Sequence, residues 1–385
     1  MTIENIHIID KIIGSLIPFQ ALIFAIILFL LSKENSRSKR ILGYYMSINF
    51  LYYTYLFFYY STYYSIIKDA YYIIVPIALL IQPFFYLYIK SLTNPDFKCN
   101  YKELFHLLPS FIILIMNLSL YSFLSPNEQL QLLAFEGNSS NNIQAFFLEL
   151  HTLGYHILFA FQALIYLSLI IWHIYKHRKN LSTNFSNYED VNLNWLIMIL
   201  SIFIIGAIVQ ESLGYVDQLV FNVHGRIYYN LFMLFIIAFI GISAIKQKEI
   251  YQITGKEDRL GKYVNSTLNE DSKQELVQKL RTHLELNKPY LNNNLKLDDI
   301  AKHIETNRQY LSQIINENFQ QNFYSLINEY RIEESKKMLY EKKHKQLSIM
   351  GIAKSVGFNS KSTFNTLFKK STGLTPSQFI KENQL

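Results

Sequence analysis

Residues 348–380 read SIMGIAKSVGFNSKSTFNTLFKKSTGLTPSQFI, and residues 296–327 read KLDDIAKHIETNRQYLSQIINENFQQNFYSLI. The two stretches are diverged copies, and the later one carries one extra residue. Their apolar residues form three matched groups: Leu297, Ile300, Ala301 and Ile304 with Ile349, Ile352, Ala353 and Val356; Leu311, Ile314 and Ile315 with Phe364, Leu367 and Phe368; and Phe323, Leu326 and Ile327 with Pro376, Phe379 and Ile380. Such a repeat indicates two copies of one structural unit.

Each matched group has the i, i+3, i+4 spacing of one face of a short helix. Turn-forming residues separate the first two groups, namely Glu305-Thr306-Asn307 in one copy and Gly357-Phe358-Asn359 in the other. Two short helices joined by such a turn, with a third packed across them, form a helix-turn-helix unit. We therefore predict helix-turn-helix units at residues 297–316 and 349–370, joined by a long helix within residues 324–341.

The second helix of such a unit enters the DNA major groove, and its apolar face packs inward. The opposite face is then free for DNA, where amides pair with adenine edges and basic groups with guanine or phosphate. An exposed amide-rich helix without a partner is the alternative, but repetition at matched positions favours DNA binding. The predicted DNA-binding residues are Arg308, Gln309, Ser312, Gln313, Lys361, Ser362, Asn365, Thr366 and Lys369.

The second copy also resembles a known signature. Ile352-Ala353, Val356-Gly357-Phe358, Phe364, Phe368-Lys369-Lys370, Thr372-Gly373, Thr375-Pro376 and Phe379 are similar to the signature of the AraC/XylS family of transcription regulators. The resemblance covers residues 289–383 and implies a seven-helix domain whose two units enter successive major grooves. It assigns base contacts to Gln309, Ser312 and Gln313 in the first unit and to Lys361, Ser362, Asn365 and Thr366 in the second.

Two positions depart from the family pattern. Glu305 stands in the turn where the second copy has Gly357, and a left-handed backbone there strains a residue other than glycine. The first copy also has no arginine among Gln309, Ser312 and Gln313. These departures bear on the stability of the first turn and on the DNA sequence that is read.

Long apolar runs dominate the chain before residue 250. About 20 apolar residues in a helix cross the hydrocarbon core of a membrane. Seven segments meet that length, and we predict spans at residues 12–32, 41–60, 71–92, 104–124, 153–175, 193–213 and 227–245. The predicted fold class is all-α: a seven-transmembrane-helix bundle followed by a cytoplasmic, all-helical, double helix-turn-helix domain.

Basic residues in the gaps between the spans predict the orientation. One set of gaps holds 12 Lys and Arg residues, whereas the opposite set holds only Lys11, Lys68 and Arg226. The basic gaps are expected to face the cytoplasm, which places the N-terminus outside and the C-terminal domain inside a bacterial cytoplasmic membrane. The first apolar run lacks a basic region and a cleavage site of a signal peptide, so we expect it to be retained as a span.

Polar residues in or near the spans allow two interpretations. Ionisable groups at membrane depth usually have a partner or a function. One interpretation is hydrogen bonding between helices together with ordinary boundary residues, and it applies to Gln82, Asn117 and Gln162 as well as to the residues named next. The other is an outward-facing pocket for a small molecule or an envelope signal, with the candidate sensing residues His156, Gln210, Glu211, Arg226 and Asn230.

Charge separates the two parts of the 385-residue chain. Residues 1–250 hold 15 Lys and Arg and 14 Asp and Glu, whereas residues 251–385 hold 21 and 15, net charges of +1 and +6. The excess suits a polyanion partner or a solvated surface. We predict a seven-span sensor domain at residues 1–248, a cytoplasmic linker at 249–286 and the DNA-binding domain at 287–385. Within the linker, Leu276, Leu280 and Leu284 predict an amphipathic helix that docks on the next domain or relays a signal to it.

The leading hypothesis is a membrane-bound one-component transcription regulator. Its expected partners are double-stranded promoter DNA, the lipid bilayer, RNA polymerase, a second copy of the chain and an unidentified signal. A transporter or channel with a regulatory helix-turn-helix module is the alternative. The single cysteine, Cys99, rules out an internal disulfide, and no nucleophile motif, phosphate loop or metal-ligand cluster is evident. We therefore expect neither a catalytic site nor a metal or cofactor site.

Overall fold

Long apolar helices make up the N-terminal part of the protein in a computed structural model. The model describes residues 3–32, 36–59, 70–94, 97–123, 142–187, 193–202, 224–247 and 270–383. The helices of this part are α1 (Ile3–Leu31), α2 (Arg37–Tyr59), α3 (Tyr71–Ala78), α4 (Ile81–Thr93), α5 (Tyr101–Leu104), α6 (Leu108–Phe123), α7 (Asn142–Asn184), α8 (residues 194–202) and α9 (His224–Lys246). A short 3₁₀ turn, Phe105–Leu107, joins α5 to α6.

The chain divides into two compact units. The first comprises Met1–Ile174 and Leu193–Thr254, and the second comprises Tyr175–Asn192 and Gly255–Leu385. The last residues of α7 therefore belong to the same unit as the C-terminal helices. The predicted domain boundaries at residues 248 and 286 stay predictions.

The first unit packs its helices around apolar side chains. Helix α1 packs against α2 and α9, α2 packs against α4, and α3 packs against α6. Leu28, Leu42 and Met46 are fully buried in this core. A Cβ atom at Gly241 would lie 2.4 Å from Cδ1 of Phe24, so this close approach of α9 to α1 needs a glycine.

Within the described ranges, five helices have the length and the apolar composition of a membrane span. They are Ile8–Leu31, Tyr72–Thr93, Tyr101–Ser119, Ile157–Asn184 and Ile227–Lys246. Residues 41–59 of the predicted span at 41–60 are helical in α2, which is not among the five because its six tyrosines lower its mean hydropathy. The predicted span at 193–213 lies partly outside the described residues. The structure thus supports several apolar helices, and the count of seven stays a prediction.

Two prolines interrupt the helix that the sequence predicts at residues 71–92. A proline has no backbone N–H, so the carbonyl four residues earlier loses its helical donor. Pro76 leaves the Tyr72 carbonyl in this position, and Nδ2 of Asn117 donates to that oxygen at 3.0 Å. Pro83 does the same to the Leu79 carbonyl.

The Leu79 carbonyl also has a replacement donor, because Nε2 of Gln162 lies 2.9 Å from it. Asn117 is fully buried and Gln162 is 5% exposed. Both amides therefore replace missing helix hydrogen bonds. This outcome supports the interpretation of these two polar residues as links between helices.

The C-terminal helices form the predicted double unit. They are α10 (Glu270–Thr282), α11 (Leu297–His303), α12 (Arg308–Phe319), α13 (Phe323–Tyr340), α14 (Ile349–Ser355), α15 (Lys361–Thr372) and α16 (Pro376–Glu382). A π turn (His283–Asn287) and 3₁₀ turns (Pro289–Leu291 and Lys343–Lys345) connect them. Among the described residues the structure contains helices and no β-strand, with one isolated antiparallel bridge between Phe185 and Lys296.

Two separate apolar cores lie along α13. Its first half places Phe323, Leu326 and Ile327 in the core of the first helix-turn-helix unit. Its second half places Ile332 and Leu339 in the core of the second. Helix α13 therefore belongs to both helix-turn-helix units, and the residues between its two apolar stretches lie at their junction.

Helix α10 confirms the amphipathic helix that the leucine spacing predicts. Leu280, and Leu284 in the π turn that follows α10, are fully buried in the core of the first helix-turn-helix unit, and Leu276 packs against it. The helix thus docks on the first helix-turn-helix unit. It also extends the folded part of the C-terminal region to residue 270, which lies before the predicted start of the DNA-binding domain.

Candidate DNA-binding interface

The two helix-turn-helix units have the same local geometry. Helices α11 and α14 each have 7 residues, and α12 and α15 each have 12. In the first turn the Thr306 N–H donates to the Ala301 carbonyl at 2.9 Å, and in the second the Phe358 N–H donates to the Ala353 carbonyl at 2.9 Å. The repeat in sequence is therefore also a repeat in backbone hydrogen bonding.

The turns confirm the departure noted at Glu305. Its φ is +60°, in the left-handed region, and the matching Gly357 has φ of +97°. The two positions differ in surroundings, because the Glu305 side chain is exposed. At Gly357 a Cβ atom would lie 2.6 Å from the Tyr290 carbonyl oxygen and 2.8 Å from Nε of Arg331. Glycine is required in the second turn, whereas a side chain has room in the first.

Polar caps begin the helices α12 and α15, which we call the first and second recognition helices. The Asn307 side chain accepts from the Tyr310 N–H at 2.9 Å, and the Ser360 hydroxyl accepts from the Thr363 N–H at 3.4 Å. Such side chains satisfy N–H groups that have no partner within the helix. The caps place Arg308 and Lys361 at the first helical positions, at the end of a recognition helix that approaches base edges.

The apolar faces of both recognition helices point into the cores. Leu311, Ile314 and Ile315 are at most 1% exposed, and Phe364 and Phe368 are fully buried. The predicted DNA-binding residues lie away from these faces. Seven are exposed and two, Ser312 and Asn365, are half-buried; the exposed ones are Arg308, Gln309, Gln313, Lys361, Ser362, Thr366 and Lys369.

Several of these side chains already have partners within the protein. Nε2 of Gln313 donates to Oε1 of Glu317 at 2.8 Å, so this amide must leave a neighbour before it can pair with a base. The hydroxyls of Ser362 and Ser360 are 2.8 Å apart. Oδ1 of Asn365 is buried and has no hydrogen-bond partner among the described residues, so only part of this amide is accessible.

Arg308 is held by two groups. Its Nε donates to Oδ1 of Asn184 at 2.8 Å, and its guanidinium lies 3.7 Å from the Asp298 carboxylate. Asn184 is the last residue of α7, far from the repeat in sequence. This contact could not be predicted, because nothing in the composition of residues 175–192 distinguishes them from an ordinary polar gap.

A buried arginine at the junction of the units was also missed from the sequence. Arg331, in α13, is 0% exposed. Its Nε donates to the Tyr290 carbonyl at 2.7 Å, and Nη2 donates to the Asn292 carbonyl at 2.8 Å. Burial lowers the pKa of Arg331 to about 10, which leaves the group charged at neutral pH. The signal was a basic residue inside the apolar period of a helix.

One of the candidate sensing residues has a defined partner. Nδ2 of Asn230, in α9, donates to Oδ1 of Asp10, in α1, at 3.1 Å, and Asp10 is only 5% exposed. This contact supports helix pairing at that position. The backbones of His156 and Arg226 lie in α7 and α9, whereas Gln210 and Glu211 lie outside the described residues. The sensing site stays a prediction.

The N-terminal compact unit contains a polar cluster that was not among the candidate residues. Nζ of Lys90 lies 2.7 Å from Oε1 of Glu103, which is 8% exposed. His106 lies 3.6 Å from the same carboxylate, and its Nδ1 lies 2.8 Å from the Tyr166 hydroxyl. Lys90 and Glu103 are oppositely charged residues near the ends of neighbouring helices, α4 and α5. Their opposite charges, close together in the sequence, could have predicted this pair.

Comparison with known proteins assigns the C-terminal region. Residues 300–382 match a family described as a helix-turn-helix domain. Over 87 residues the chain is 36% identical to an uncharacterised helix-turn-helix-type transcriptional regulator in the cgkA 5′ region of Pseudoalteromonas carrageenovora. Over 90 residues it is 36% identical to the Msm operon regulatory protein of Streptococcus mutans serotype c.

These matches concern part of each protein. They cover 23% of this chain and 49% and 31% of the two relatives. No solved structure matches the chain. The C-terminal region therefore carries a helix-turn-helix domain that is similar to part of each of these two regulators.

Proposed function

We propose that the chain is a membrane-bound one-component transcription regulator. In this proposal a signal received by the apolar N-terminal helices controls sequence-specific binding of promoter DNA by the two recognition helices. The observation that carries the proposal is the presence, in one chain, of five helices suited to crossing a membrane and two capped recognition helices with exposed polar faces. The protein acts without a catalytic site or a cofactor.

Both parts of the proposal have physical support. The recognition helices have 12 residues each and present amides, hydroxyls and basic groups, which are the groups that read base edges and phosphates. In the N-terminal unit, exposed large apolar side chains such as Phe19, Ile23 and Leu30 suit contact with lipid. The N-terminus lies outside the cytoplasmic membrane and the DNA-binding domain lies in the cytoplasm.

The partners follow from this assignment. RNA polymerase is the partner through which a promoter-bound regulator acts, and a second copy of the chain would double the DNA contacts. The signal enters from the outer side, where the candidate sensing residues His156, Gln210, Glu211, Arg226 and Asn230 are predicted to lie. A small molecule or an envelope component is the class of ligand that reaches this position.

A transporter or channel with a regulatory helix-turn-helix module is the second candidate. The Lys90–Glu103 pair and the nearby His106 favour it, because ionisable groups among apolar helices often mark a path for ions or protons. Substrate uptake by cells that express the protein distinguishes the two functions. Uptake that survives replacement of both recognition helices would favour the transporter.

The test of the proposed function has two arms. In the first, genome-wide mapping of DNA bound by the tagged, full-length protein should give discrete promoter sites. In the second, reporter fusions after Lys248 should report the cytoplasm, and fusions within residues 125–150 should report the outside. Diffuse DNA recovery contradicts sequence-specific binding, and two fusions on the same side contradict the predicted topology.

A further inference from the structure

Residues 184–187 lie in a groove of the C-terminal unit, and we call them the docking segment. They follow directly from α7 and consist of Asn184, Phe185, Ser186 and Asn187. Ser186 is 0% exposed and Phe185 is 9% exposed. The Ser186 N–H donates to the Leu295 carbonyl at 3.2 Å, next to the bridge that Phe185 forms with Lys296. The segment therefore pairs with the backbone that leads into the first helix-turn-helix unit.

The docking segment completes the hydrogen bonding of the buried arginine at the junction. Nη1 of Arg331 donates to the Ser186 carbonyl at 3.0 Å and to Oδ1 of Asn328 at 3.2 Å. Nη2 of Arg331 donates to the Ser186 hydroxyl at 3.1 Å. With the Tyr290 and Asn292 carbonyls, these contacts use all five donors of the guanidinium. Two of the five depend on Ser186, so the groove is built to hold a chain segment at this place.

Asn187 links the two helix-turn-helix units to each other. Its Nδ2 donates to the Asn293 carbonyl at 3.2 Å, before the first unit, and to the Gly357 carbonyl at 3.1 Å, in the second turn. One side chain thus joins the backbone that leads into the first unit to the turn of the second. While it stays bound, the angle between the two recognition helices has less freedom to adjust to successive major grooves.

Asn184 engages a predicted DNA-binding residue. Its Oδ1 accepts from Nε of Arg308 at 2.8 Å, and Arg308 is the first residue of the first recognition helix. A guanidinium that bonds to an amide of its own chain has fewer donors for a base or phosphate. Docking and DNA therefore compete for Arg308.

We propose that the docking segment is an intramolecular ligand that restrains the two recognition helices and lowers DNA affinity until it leaves its groove. The inference rests on the proposed DNA-binding function and adds the means of control. The segment directly follows α7, one of the five apolar helices, so a shift of this helix along its axis would pull on the segment. Release frees Arg308 and lets the two units adjust to the DNA.

The first test changes the contact at Arg308 in opposite directions. Detergent-solubilised full-length protein is titrated with a fluorescent duplex selected from a random library by the same protein. Asn184→Ala removes the hydrogen bond from Arg308, together with one that Asn184 donates to the Asn180 carbonyl, and should tighten binding about two- to tenfold. Asn184→Asp strengthens the contact and should weaken binding by a similar factor.

Matched controls separate docking from charge. Ser182 lies two residues earlier, and its hydroxyl bonds within its own helix to the Lys179 carbonyl at 3.0 Å. Ser182→Asp adds the same charge without a contact to Arg308, so it should weaken binding less than Asn184→Asp. Ser182→Ala should leave binding unchanged.

The second test locks the segment in place. In a Cys99→Ser background, which removes the native thiol, Asn187→Cys and Asn293→Cys put a reactive pair where the Asn187 amide meets the Asn293 carbonyl. A short bismaleimide should join them in intact membranes. The joined protein should bind the duplex at least about fivefold more weakly than the unreacted double variant, which serves as its control.

The outcomes distinguish the two proposals. Selection that yields no bound duplex for any variant overturns the proposed DNA-binding function, and the inference fails with it. Measurable binding that is unchanged by Asn184→Ala, Asn184→Asp and the cross-link overturns the inference alone. Absence of cross-linking in protein that binds the duplex overturns the docked arrangement. Tighter binding by Asn184→Ala together with weaker binding by the cross-linked form supports release as the control step.

Discussion

The first helix-turn-helix unit packs mainly on aliphatic side chains, some of them from before the repeat, whereas four phenylalanines of the repeat lie in the core of the second. In the first, Leu280 comes from α10 and Leu284 from the π turn that follows it. In the second, the ring of Phe364 lies 5.3 Å from that of Phe358 and 5.5 Å from that of Phe368, between ring centroids. Two units with the same backbone therefore differ in how their cores are closed.

This difference divides the roles of the two units. The second unit closes its core with its own phenylalanines and with Ile332 and Leu339 of α13. The first unit needs α10 to close its core, and Arg308 at the start of its recognition helix contacts Asn184. The preceding chain can therefore act on the core of the first unit, whereas it meets the second unit at the Gly357 carbonyl, to which Asn187 donates.

The largest effect should come from opening one core at a time. Phe364→Ala removes a fully buried ring and should cost about 3–5 kcal/mol of unfolding free energy in the second unit. Leu284→Ala should cost about 2–5 kcal/mol and loosen the first unit only. Hydrogen exchange, followed separately in the two units, measures both changes. Unchanged exchange of the first unit in Leu284→Ala would show that the turn after α10 does not contribute to its core.

The turns should respond to substitution with opposite signs. Gly357→Ala combines a left-handed backbone with a Cβ atom 2.6 Å from the Tyr290 carbonyl oxygen, and should cost about 2–3 kcal/mol. Glu305→Gly removes the strain at φ of +60° and should stabilise the first unit by up to about 1 kcal/mol. Urea-dependent pulse proteolysis measures both. Destabilisation by Glu305→Gly would show that the left-handed backbone at Glu305 carries no strain that glycine relieves.

The recognition helices should differ in how they bind DNA. Gln313→Ala should cost about 1–3 kcal/mol on the selected duplex and little on a scrambled one, because an amide that pairs with a base carries sequence information. The lower part of that range is expected, since Gln313 must first leave Glu317. Asn365→Ala should lose less, because its amide is half-buried.

Lys369→Ala provides the comparison with charge attraction. Its loss should weaken binding to both duplexes and reduce the slope of log affinity against log salt by about one. Titrations at several salt concentrations measure this slope. Equal weakening of both duplexes by Gln313→Ala and Lys369→Ala would show that the first recognition helix does not read bases through Gln313.

The smallest effect concerns pH and should be confined to the first unit. Burial, with a smaller contribution from His303, lowers the pKa of His283 below 6.5, although a hydrogen bond with Asn287 opposes the shift. A lowered pKa in the folded state means that stability is full above pH 6.5. It then declines as the pH falls through the lowered value.

Hydrogen exchange at pH 7.5 and at pH 5.5 tests this difference between the units. Exchange in the first unit should become faster at the lower pH, after correction for intrinsic rates. His283→Gln should remove the difference, because it removes the titrating group while keeping a polar side chain. A pH response confined to the second unit would contradict the assignment.

Periodic features of the chain could be predicted from the sequence, and unique contacts could not. The i, i+3, i+4 groups predicted both helix-turn-helix units and the exposed faces of both recognition helices, since one face of a short helix must be apolar to pack. The strained turn at Glu305 followed from its alignment with Gly357. Helix α10 followed from the spacing of its leucines.

The missed features depend on contacts between segments far apart in sequence. Arg331 bonds to Ser186, 145 residues earlier, and Arg308 bonds to Asn184, 124 residues earlier. Neither contact leaves a local pattern, because a serine or an asparagine after a helix is ordinary. The interruption of the predicted span at residues 71–92 was also not predicted, because the effect of Pro76 and Pro83 depends on hydrogen-bond donors from other helices.

The two prolines also impose an order on how the protein is made. Synthesis delivers Pro76 and Pro83 before Asn117 and Gln162 exist, so the carbonyls of Tyr72 and Leu79 first emerge without their later donors. A carbonyl without a donor costs several kcal/mol in hydrocarbon, roughly the cost of an unmade hydrogen bond there. In a membrane, the two carbonyls would therefore hydrogen-bond to water or to lipid headgroups until α6 and α7 have been synthesised. The pair of helices α3 and α4 can then enter the hydrocarbon fully only after Asn117 and Gln162 are in place.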